Sequence, residues 1–185
     1  MYHIKNDKRA QASTELICAG LLACMKEKPF ARITITDVQH ASTVSRSTFY
    51  RNFDWLEDVL ALLCDRGFQA VFTAYNALPA AQRGNLPKAV FHYWFHNSAV
   101  LEALVQIHRT DILFDSLRRS SGLIEALQPL ADDPARFDYF VAIITSAMIG
   151  VLTVWVEHGK TETEDQMVQK LTSAFIEMAI LELPG

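Results

Sequence analysis

The stretch that decides the fold is TITDVQHASTVSRSTFYRNF, residues 34–53. Thr34, followed three residues later by Asp37, is a capping box, which predicts that a short helix begins there. The pattern breaks before Ser45, which is suited to cap a second short helix over residues 46–52. Two short helices separated by a tight break form a helix-turn-helix, a geometry that fits the major groove of DNA.

The second short helix has an apolar side and a polar side. Phe49 and Phe53 are four residues apart, so we expect both to face the core. The N-terminal turn of such a helix enters the groove deepest, and it is expected to reach base edges while the following turn contacts phosphates. The residues left for the groove are Arg46, Ser47, Thr48, Tyr50, Arg51 and Asn52, the first three for bases and Tyr50 and Arg51 for phosphates. Taken alone, a polar surface helix of an ordinary bundle explains the pattern equally well.

Charge is distributed unevenly along the chain, whose formal net charge is −4. Residues 1–53 carry eight Lys and Arg against four Asp and Glu, a net charge of +4. The remaining residues carry nine against seventeen, a net charge of −8. A basic N-terminal region on an otherwise acidic chain indicates that this end of the molecule faces phosphate.

The rest of the chain predicts an all-α fold of about nine helices. Seven Gly and six Pro are too few for a loop-rich β architecture, and apolar residues recur at helical spacing. We expect a helix-turn-helix domain over residues 1–55, and a regulatory and dimerisation domain over residues 56–185. A capping box of Asp54 and Glu57 is expected to open the long fourth helix, which joins the two domains. The seventh helix is expected to reach about residue 128.

The predicted eighth helix, from about Pro134 to His158, is apolar almost all round. Residues 139–156 contain no charge and reach the threshold length of a membrane span, but Thr and Ser interrupt them. A helix covered by its own core on one side and by a partner on the other explains the pattern better. Tight packing within one protomer remains the alternative to that dimer contact.

We expect the last two helices to form the contact of a homodimer. Ser146 and Gly150 are four residues apart and permit a close approach of two helix backbones, and residues of the ninth helix recur with a heptad-like step. The predicted interface residues are Ser146, Gly150, Val154, Met167, Leu171, Phe175 and Met178.

Large side chains in the C-terminal domain could line an effector cavity between the fourth and eighth helices. Their aromatic content favours an apolar or planar ligand, although a filled core would look the same. The predicted pocket residues are Phe72, Tyr75, Phe91, Trp94, Phe95, His108, Phe114, Met148 and Trp155.

The remaining sequence features point to an intracellular protein. Cys18, Cys24 and Cys64 are an odd number without metal-ligand spacing, and they read as reduced core residues. The N-terminus has no apolar signal-peptide core, so a cytoplasmic location is expected.

The segment Ile35-Thr36-Asp37-Val38 with Ser45 to Phe53 resembles the helix-turn-helix signature of TetR/AcrR transcriptional regulators. Its Thr-Phe-Tyr-x-x-Phe core is the most diagnostic part, and the resemblance spans about residues 10–65. Residues 149–159 are more weakly similar to the penultimate helix of a C-terminal domain common in Firmicutes-type regulators. The resemblance implies phosphate contacts by Thr34 and Tyr50, base contacts by residues 46–48, and a palindromic operator bound by a dimer. Thr36 and Ser45 belong to the same expected DNA-binding set.

Two departures from the family pattern are visible. Thr43 stands where the family usually has Gly in the turn, and a β-branched residue at positive φ is costly. Asp54-Trp55-Leu56 lacks the Lys that relatives often place beside the phosphate backbone. We therefore expect DNA binding to depend more on Lys5, Lys8 and Arg9 in the N-terminal arm.

Catalytic alternatives have little support in the sequence. His92 and His96 are four residues apart and would share a helix face, as in a helical metalloenzyme, but no Glu-x-x-His pair accompanies them. No nucleophile triad, phosphate-binding glycine loop or Cys cluster is present. We expect a repressor rather than an enzyme, with no cofactor and no metal; an activator with the same DNA site remains open.

Overall fold

The computed structural model describes residues 2–125, 127 and 132–181, and these contain nine α-helices and no strand. The predicted all-α class and helix number are confirmed. The helices are α1 (Lys8–Glu27), α2 (Ile35–Ser42), α3 (Arg46–Asn52), α4 (Leu56–Ala77), α5 (Leu86–His96), α6 (Ser98–Gln106), α7 (Thr110–Ser120), α8 (Pro134–Glu157) and α9 (Glu164–Leu181).

The turn between α2 and α3 contains a non-glycine residue in the left-handed conformation. Thr43 caps α2 in the left-handed region, at φ 58° and ψ 16°. A β-branched residue in that region costs about 1 to 3 kcal/mol, so the surrounding packing must hold the turn in place. Val44, the next residue, is buried.

Helix α1 lies very close to the end of α2. A Cβ atom at Gly20 would stand 2.8 Å from the Ser42 Cβ and 3.0 Å from the Ser42 backbone nitrogen. The backbone atom cannot rotate away, so glycine is required at this crossing.

We therefore expect Gly20→Ala to destabilise the protein by about 1 to 3 kcal/mol, the usual range for overpacking. The clash opposes a gain of about 1 kcal/mol from the higher helix propensity of Ala. Thermal unfolding followed by circular dichroism measures the change. Gly84→Ala is the control, because a Cβ there meets nothing within 4 Å. An unchanged or higher Tm for Gly20→Ala would show that the two helices can separate at little cost.

The fourth helix begins one residue later than the sequence predicted. The expected Asp54 and Glu57 capping box is wrong: Trp55 is the N-cap, and α4 begins at Leu56. The Asp58 carboxylate accepts hydrogen bonds from the backbone N–H groups of Asp54 and Trp55, both at 3.0 Å. Glu57 and Asp58 both lie in the first turn, so the sequence fitted a box of Asp54 with Glu57 as well as one of Trp55 with Asp58.

The C-terminal helices surround α4 and α8. Helix α4 packs against α5, α6 and α7, α8 packs against α6, α7 and α9, and α9 lies along α5. Helix α7 ends at Ser120 and a short 3₁₀ turn follows, so the predicted extension of this helix is wrong; its expected end, residue 128, lies outside the described residues. Buried apolar side chains form one cluster that is continuous across the predicted domain boundary at residues 55 and 56.

Candidate nucleic-acid interface

Helix α3 presents a polar face to solvent. Phe49 and Phe53 are buried, as their spacing predicted, and their rings lie 5.8 Å apart. The exposed residues of the helix are Arg46, Ser47, Tyr50 and Arg51, and Thr48 is half-buried. A contiguous polar surface of this size is what a helix needs to enter a major groove.

Asn52 does not belong to that surface, so its prediction as a groove residue is wrong. Its side chain is 1% exposed, and its amide nitrogen donates a hydrogen bond to the Thr48 carbonyl oxygen at 3.2 Å. The last turn of α3 rotates this position toward α1 and the N-terminal arm, whose His3 N–H donates to the Asn52 carbonyl oxygen. The side chain therefore closes the end of the helix.

Hydroxyl groups organise the N-terminal turn of α3. The Ser45 Oγ accepts a hydrogen bond from the Thr48 backbone N–H at 3.2 Å, as expected for an N-cap. The same oxygen lies 3.0 Å from the Ser47 hydroxyl and 2.9 Å from the Thr48 hydroxyl. Ser45 is thus engaged in capping, and Ser47 is the hydroxyl of the three that stands furthest toward solvent.

Thr34 and Asp37 form the predicted capping box at the start of α2. The Asp37 backbone N–H donates to the Thr34 hydroxyl, and the Asp37 carboxylate accepts from the Thr34 backbone N–H at 2.7 Å. A hydrogen bond from Lys28, followed in size by those from Thr34, lowers the pKa of Asp37 well below its usual range. The stabilisation from this ionised cap is present at neutral pH and is lost only in strong acid. Thr36, in the next position, is exposed.

Arg46 and Tyr50 interact with each other on the exposed face. The Arg46 guanidinium donates to the Tyr50 hydroxyl at 3.3 Å and lies 5.5 Å from the centre of the Tyr50 ring. The contact holds the guanidinium above the N-terminal half of α3 rather than free in solvent. To contact a base, Arg46 would therefore have to give up its weak, exposed contact with Tyr50.

The N-terminal arm brings further cations to α3. Lys5 and Arg9 share the lining of one open hollow of about 300 Å³ with Arg51 and Thr48. Lys8 is exposed but does not line this hollow. Asp7 also lines the hollow, where its carboxylate accepts hydrogen bonds from the backbone N–H groups of Arg9 and Ala10. Three cationic side chains against one carboxylate leave a net positive charge, which favours binding of a phosphate group.

A hydrogen bond at the start of the arm anchors it to the C-terminal helices. The Tyr2 hydroxyl donates to the Asp65 carboxylate of α4 at 2.5 Å, and Arg119 of α7 donates to the same carboxylate at 2.8 Å. Ser116 is a third partner of Asp65. Burial, followed by the hydrogen bond to Asp65, raises the pKa of Tyr2 to about 12, so its hydroxyl stays protonated and able to donate. The position of Lys5 is thereby linked to α4 and α7.

The predicted effector pocket residues do not converge on one cavity. Phe72 and Met148 line a cavity of about 260 Å³ between α4, α5, α7 and α8. Trp155 instead lines the groove between α8 and α9, where it stacks on Phe95 with the ring centres 5.3 Å apart.

The other predicted pocket residues lie away from that cavity, so their assignment is wrong. Phe91 and Trp94 are buried in the core, and Phe114 is half-buried on α7. Tyr75 lines an open groove between α4 and α5, and its hydroxyl donates to the Gly84 carbonyl oxygen. His108 is exposed in the turn after α6, at a φ of 55°.

The cavity is lined mainly by aliphatic residues that the sequence could not distinguish from core. Among the described residues that line it, the polar side chains are those of Ser121 and Thr145, and none is charged. The lining residues that sequence reasoning missed are Leu86, Pro87, Val90, Leu117, Ser121, Ile124, Leu127, Phe140, Val141, Ile144 and Thr145. The one signal in the sequence for this cavity was Thr145, a polar residue in the middle of the apolar helix α8.

All seven predicted dimer residues line one open groove between α8 and α9. The groove has a volume of about 770 Å³ and is lined by Ser146, Gly150, Val154, Met167, Leu171, Phe175 and Met178 among others. Met167 and Leu171 are buried within the protomer and form the floor of the groove, so they offer a partner almost no surface. The other five are exposed or half-buried.

The three cysteines are free and buried, as expected for core residues. Burial raises the pKa of Cys18 to about 11 and raises that of Cys64 further. These thiols are therefore protonated at neutral pH and are unreactive as nucleophiles.

Comparison with known protein families gives a match over residues 88–177. The matching family model is described as a transcriptional regulator C-terminal region. The matched residues run from the first turn of α5 into α9, and they include Val90 of the cavity wall and most of the groove between α8 and α9. A search of curated proteins gives no match.

Proposed function

The chain belongs to the TetR family of transcriptional regulators, and from this we propose that it is a cytoplasmic repressor that binds a palindromic DNA operator as a homodimer. It acts by binding rather than by catalysis. Release from the operator is proposed to follow the binding of a small effector.

The DNA-binding proposal rests on the surface formed by α3 and the N-terminal arm. Arg46, Ser47 and Thr48 occupy the turn of α3 that would enter the groove, and Lys5, Arg9 and Arg51 surround the hollow beside it. The side chains of Tyr50, Thr34 and Thr36 are also exposed on this surface, at positions suited to phosphates. The net charge of +4 over residues 1–53 provides the attraction to DNA.

The salt dependence of binding to random-sequence duplex DNA tests this surface. Each phosphate neutralised by a cation contributes about −0.9 to the slope of log K against log salt, so Arg51→Gln should make the slope shallower by about that amount per subunit. Arg118→Gln on α7 is the matched control, because it removes the same charge from an exposed position far from α3. Equal slopes for wild type and Arg51→Gln, or the same loss in both variants, would contradict the assignment.

Replacing Tyr50 with Phe should weaken binding to all sequences similarly, by about 1 kcal/mol, because it removes one phosphate-directed hydroxyl and keeps the ring. Competition between an operator selected from random duplex DNA and duplexes with single base changes measures both the affinity and the base preference. A changed preference at one base position would contradict the phosphate role. Tyr50 would then act by orienting Arg46, which donates to its hydroxyl.

The homodimer proposal rests on an exposed apolar surface along α8 and α9. On α8, Tyr139, Phe140, Ile143 and Val154 are exposed, and on α9 the exposed residues are Ile176, Met178 and Ile180. Ile143 is 58% and Met178 60% exposed, and both line the groove between α8 and α9 together with Val154. Exposed apolar surface of this kind marks an interaction site. Helix α8 is long and apolar enough to cross a membrane by length and composition. A partner subunit on the exposed side explains the same composition, since α8 packs its other side on the protomer core.

The effector proposal rests on the cavity between α4, α5, α7 and α8. A cavity of about 150 Å³ lined by apolar residues can hold benzene, so 260 Å³ suits one small neutral ring compound. The Thr145 hydroxyl lines the cavity and could orient such a compound, whereas the Ser121 hydroxyl already donates to the Arg118 carbonyl oxygen at 2.7 Å and can only accept from it. Helix α7 lines this cavity and also holds Asp65 through Arg119, so a ligand that shifts α7 would act on the arm. Screening small aromatic and aliphatic compounds for a raised Tm, repeated with Thr145→Val, tests the site.

A further inference from the structure

Two helices bring three potential metal ligands together outside the regions described so far. His92 and His96 lie on one face of α5, and Glu164 lies in the first turn of α9. One nitrogen of each imidazole and one oxygen of the carboxylate lie within 4.8 Å of one another. We propose that His92, His96 and Glu164 bind one late first-row divalent metal ion, such as Zn²⁺, which joins α5 to α9.

The distances in the cluster are close to those of a coordination site. Ligands at about 2.0 to 2.2 Å from a tetrahedral ion are roughly 3.4 Å from one another. The Glu164 oxygens lie 2.9 and 3.1 Å from the His92 Nδ1, and the two imidazole centres are 4.5 Å apart. A Glu164 oxygen lies 3.9 Å from the His96 Nδ1, so the carboxylate stands near coordination spacing from both imidazoles.

The surroundings hold two of the ligands in position. The His96 Nδ1 lies 2.9 Å from the His92 carbonyl oxygen, a backbone contact that limits rotation of the ring. Metal-binding histidines commonly have such a backbone partner. The Glu164 side chain is 19% exposed between the helices, whereas both imidazoles are largely exposed and leave open positions for water.

The charges of the cluster suit a dication. Lys88 of α5 is paired with Asp165 at 2.5 Å and is attracted less strongly by Glu164, so these two carboxylates together outweigh its single positive charge. Two imidazoles and one carboxylate with open positions form a ligand set that is suited to Zn²⁺ and its neighbours and poorly suited to Ca²⁺ or Mg²⁺, which prefer oxygen ligands. Two ligands from α5 and one from α9 mean that an ion would cross-link a wall of the effector cavity to a helix of the α8–α9 groove. The proposal does not depend on DNA binding.

Titration of untagged, chelator-treated full-length protein with Zn²⁺ at pH 7.5, followed by calorimetry, tests the site. We expect one Zn²⁺ per chain, with affinity at least about tenfold weaker in His92→Ala, His96→Ala and Glu164→Gln. His158→Ala is the matched control. His158 is an exposed imidazole 3.7 Å from Glu162, and among the described residues no third potential metal ligand lies with that pair. It should bind as wild type does.

A second measurement keeps the result independent of the heat signal. Zn²⁺ should raise the Tm of wild type and His158→Ala, and should leave the Tm of the three ligand variants nearly unchanged. The shift should disappear when excess EDTA is added, because the chelator removes the ion that stabilises the folded state. Absence of stoichiometric binding to wild type, or equal binding by the ligand variants, would overturn the proposal.

Discussion

Replacing Gly150 with Leu is expected to weaken the dimer while leaving the protomer folded. A Cβ at Gly150 meets nothing within 4 Å in the protomer, so the larger side chain has room until a partner approaches. Overpacking at a helix contact costs about 1 to 3 kcal/mol, which is roughly a 5- to 150-fold rise in the dimer Kd. Sedimentation over a range of protein concentrations measures that Kd.

A charge at the same groove should have a larger effect. Val154→Lys would place an ammonium group in the apolar contact, and an unpaired charge that loses water costs several kcal/mol. Gln106→Leu and Gln106→Lys are the matched controls, since they introduce the same two side chains at an exposed position of α6 that lies outside the groove. Unchanged dimer Kd values for both groove variants would mean that the two subunits meet elsewhere.

Replacing Arg46 with Ala is expected to flatten the base preference at one symmetric pair of operator positions. An Arg in the first turn of α3 can donate two hydrogen bonds to the O6 and N7 atoms of guanine, and such a contact discriminates between bases by about 1 to 3 kcal/mol. A phosphate contact carries no direct sequence information, so non-specific binding should change less. Selection of bound duplexes from a random pool, with wild type and variant in parallel, gives the preference at each position.

Lys26→Ala is the control for Arg46, because it removes a cation from the same N-terminal region without touching α3. Circular dichroism should show both variants folded. If Arg46→Ala keeps every base preference and loses affinity evenly on all DNA, Arg46 is a phosphate contact. Base reading would then depend on Ser47, Thr48 or the N-terminal arm.

Local signals in the sequence were sufficient to predict the N-terminal helices. The capping pair of Thr34 and Asp37, the Ser45 cap and the Asp133-Pro134 start of α8 each depend on residues within one turn of the chain, and each is present in the structure. The spacing of Phe49 and Phe53 likewise gave the buried side of α3. Such short-range patterns survive folding because tertiary contacts rarely compete with a satisfied cap.

Apart from the register of the α4 cap, which was ambiguous locally, the errors have a common cause in tertiary packing. Asn52 looked like a surface residue because its neighbours are polar, but the arm packs over the end of α3 and buries it. The pocket residues were chosen for size, whereas the cavity is bounded by aliphatic side chains whose spacing is that of any core helix. Glu164 was missed because it lies 68 positions beyond His96 in the chain, and only the packing of α9 on α5 brings the two together.

The central claim is that two copies of this chain read a two-fold symmetric DNA sequence. Selection of duplexes from a random pool by the purified wild-type protein tests that claim most directly. We expect enrichment of a palindrome whose half-sites are separated by about one helical turn of DNA or a multiple of it, with affinity that falls steeply as salt is raised. No enriched sequence, or an enriched sequence without two-fold symmetry, would contradict the account.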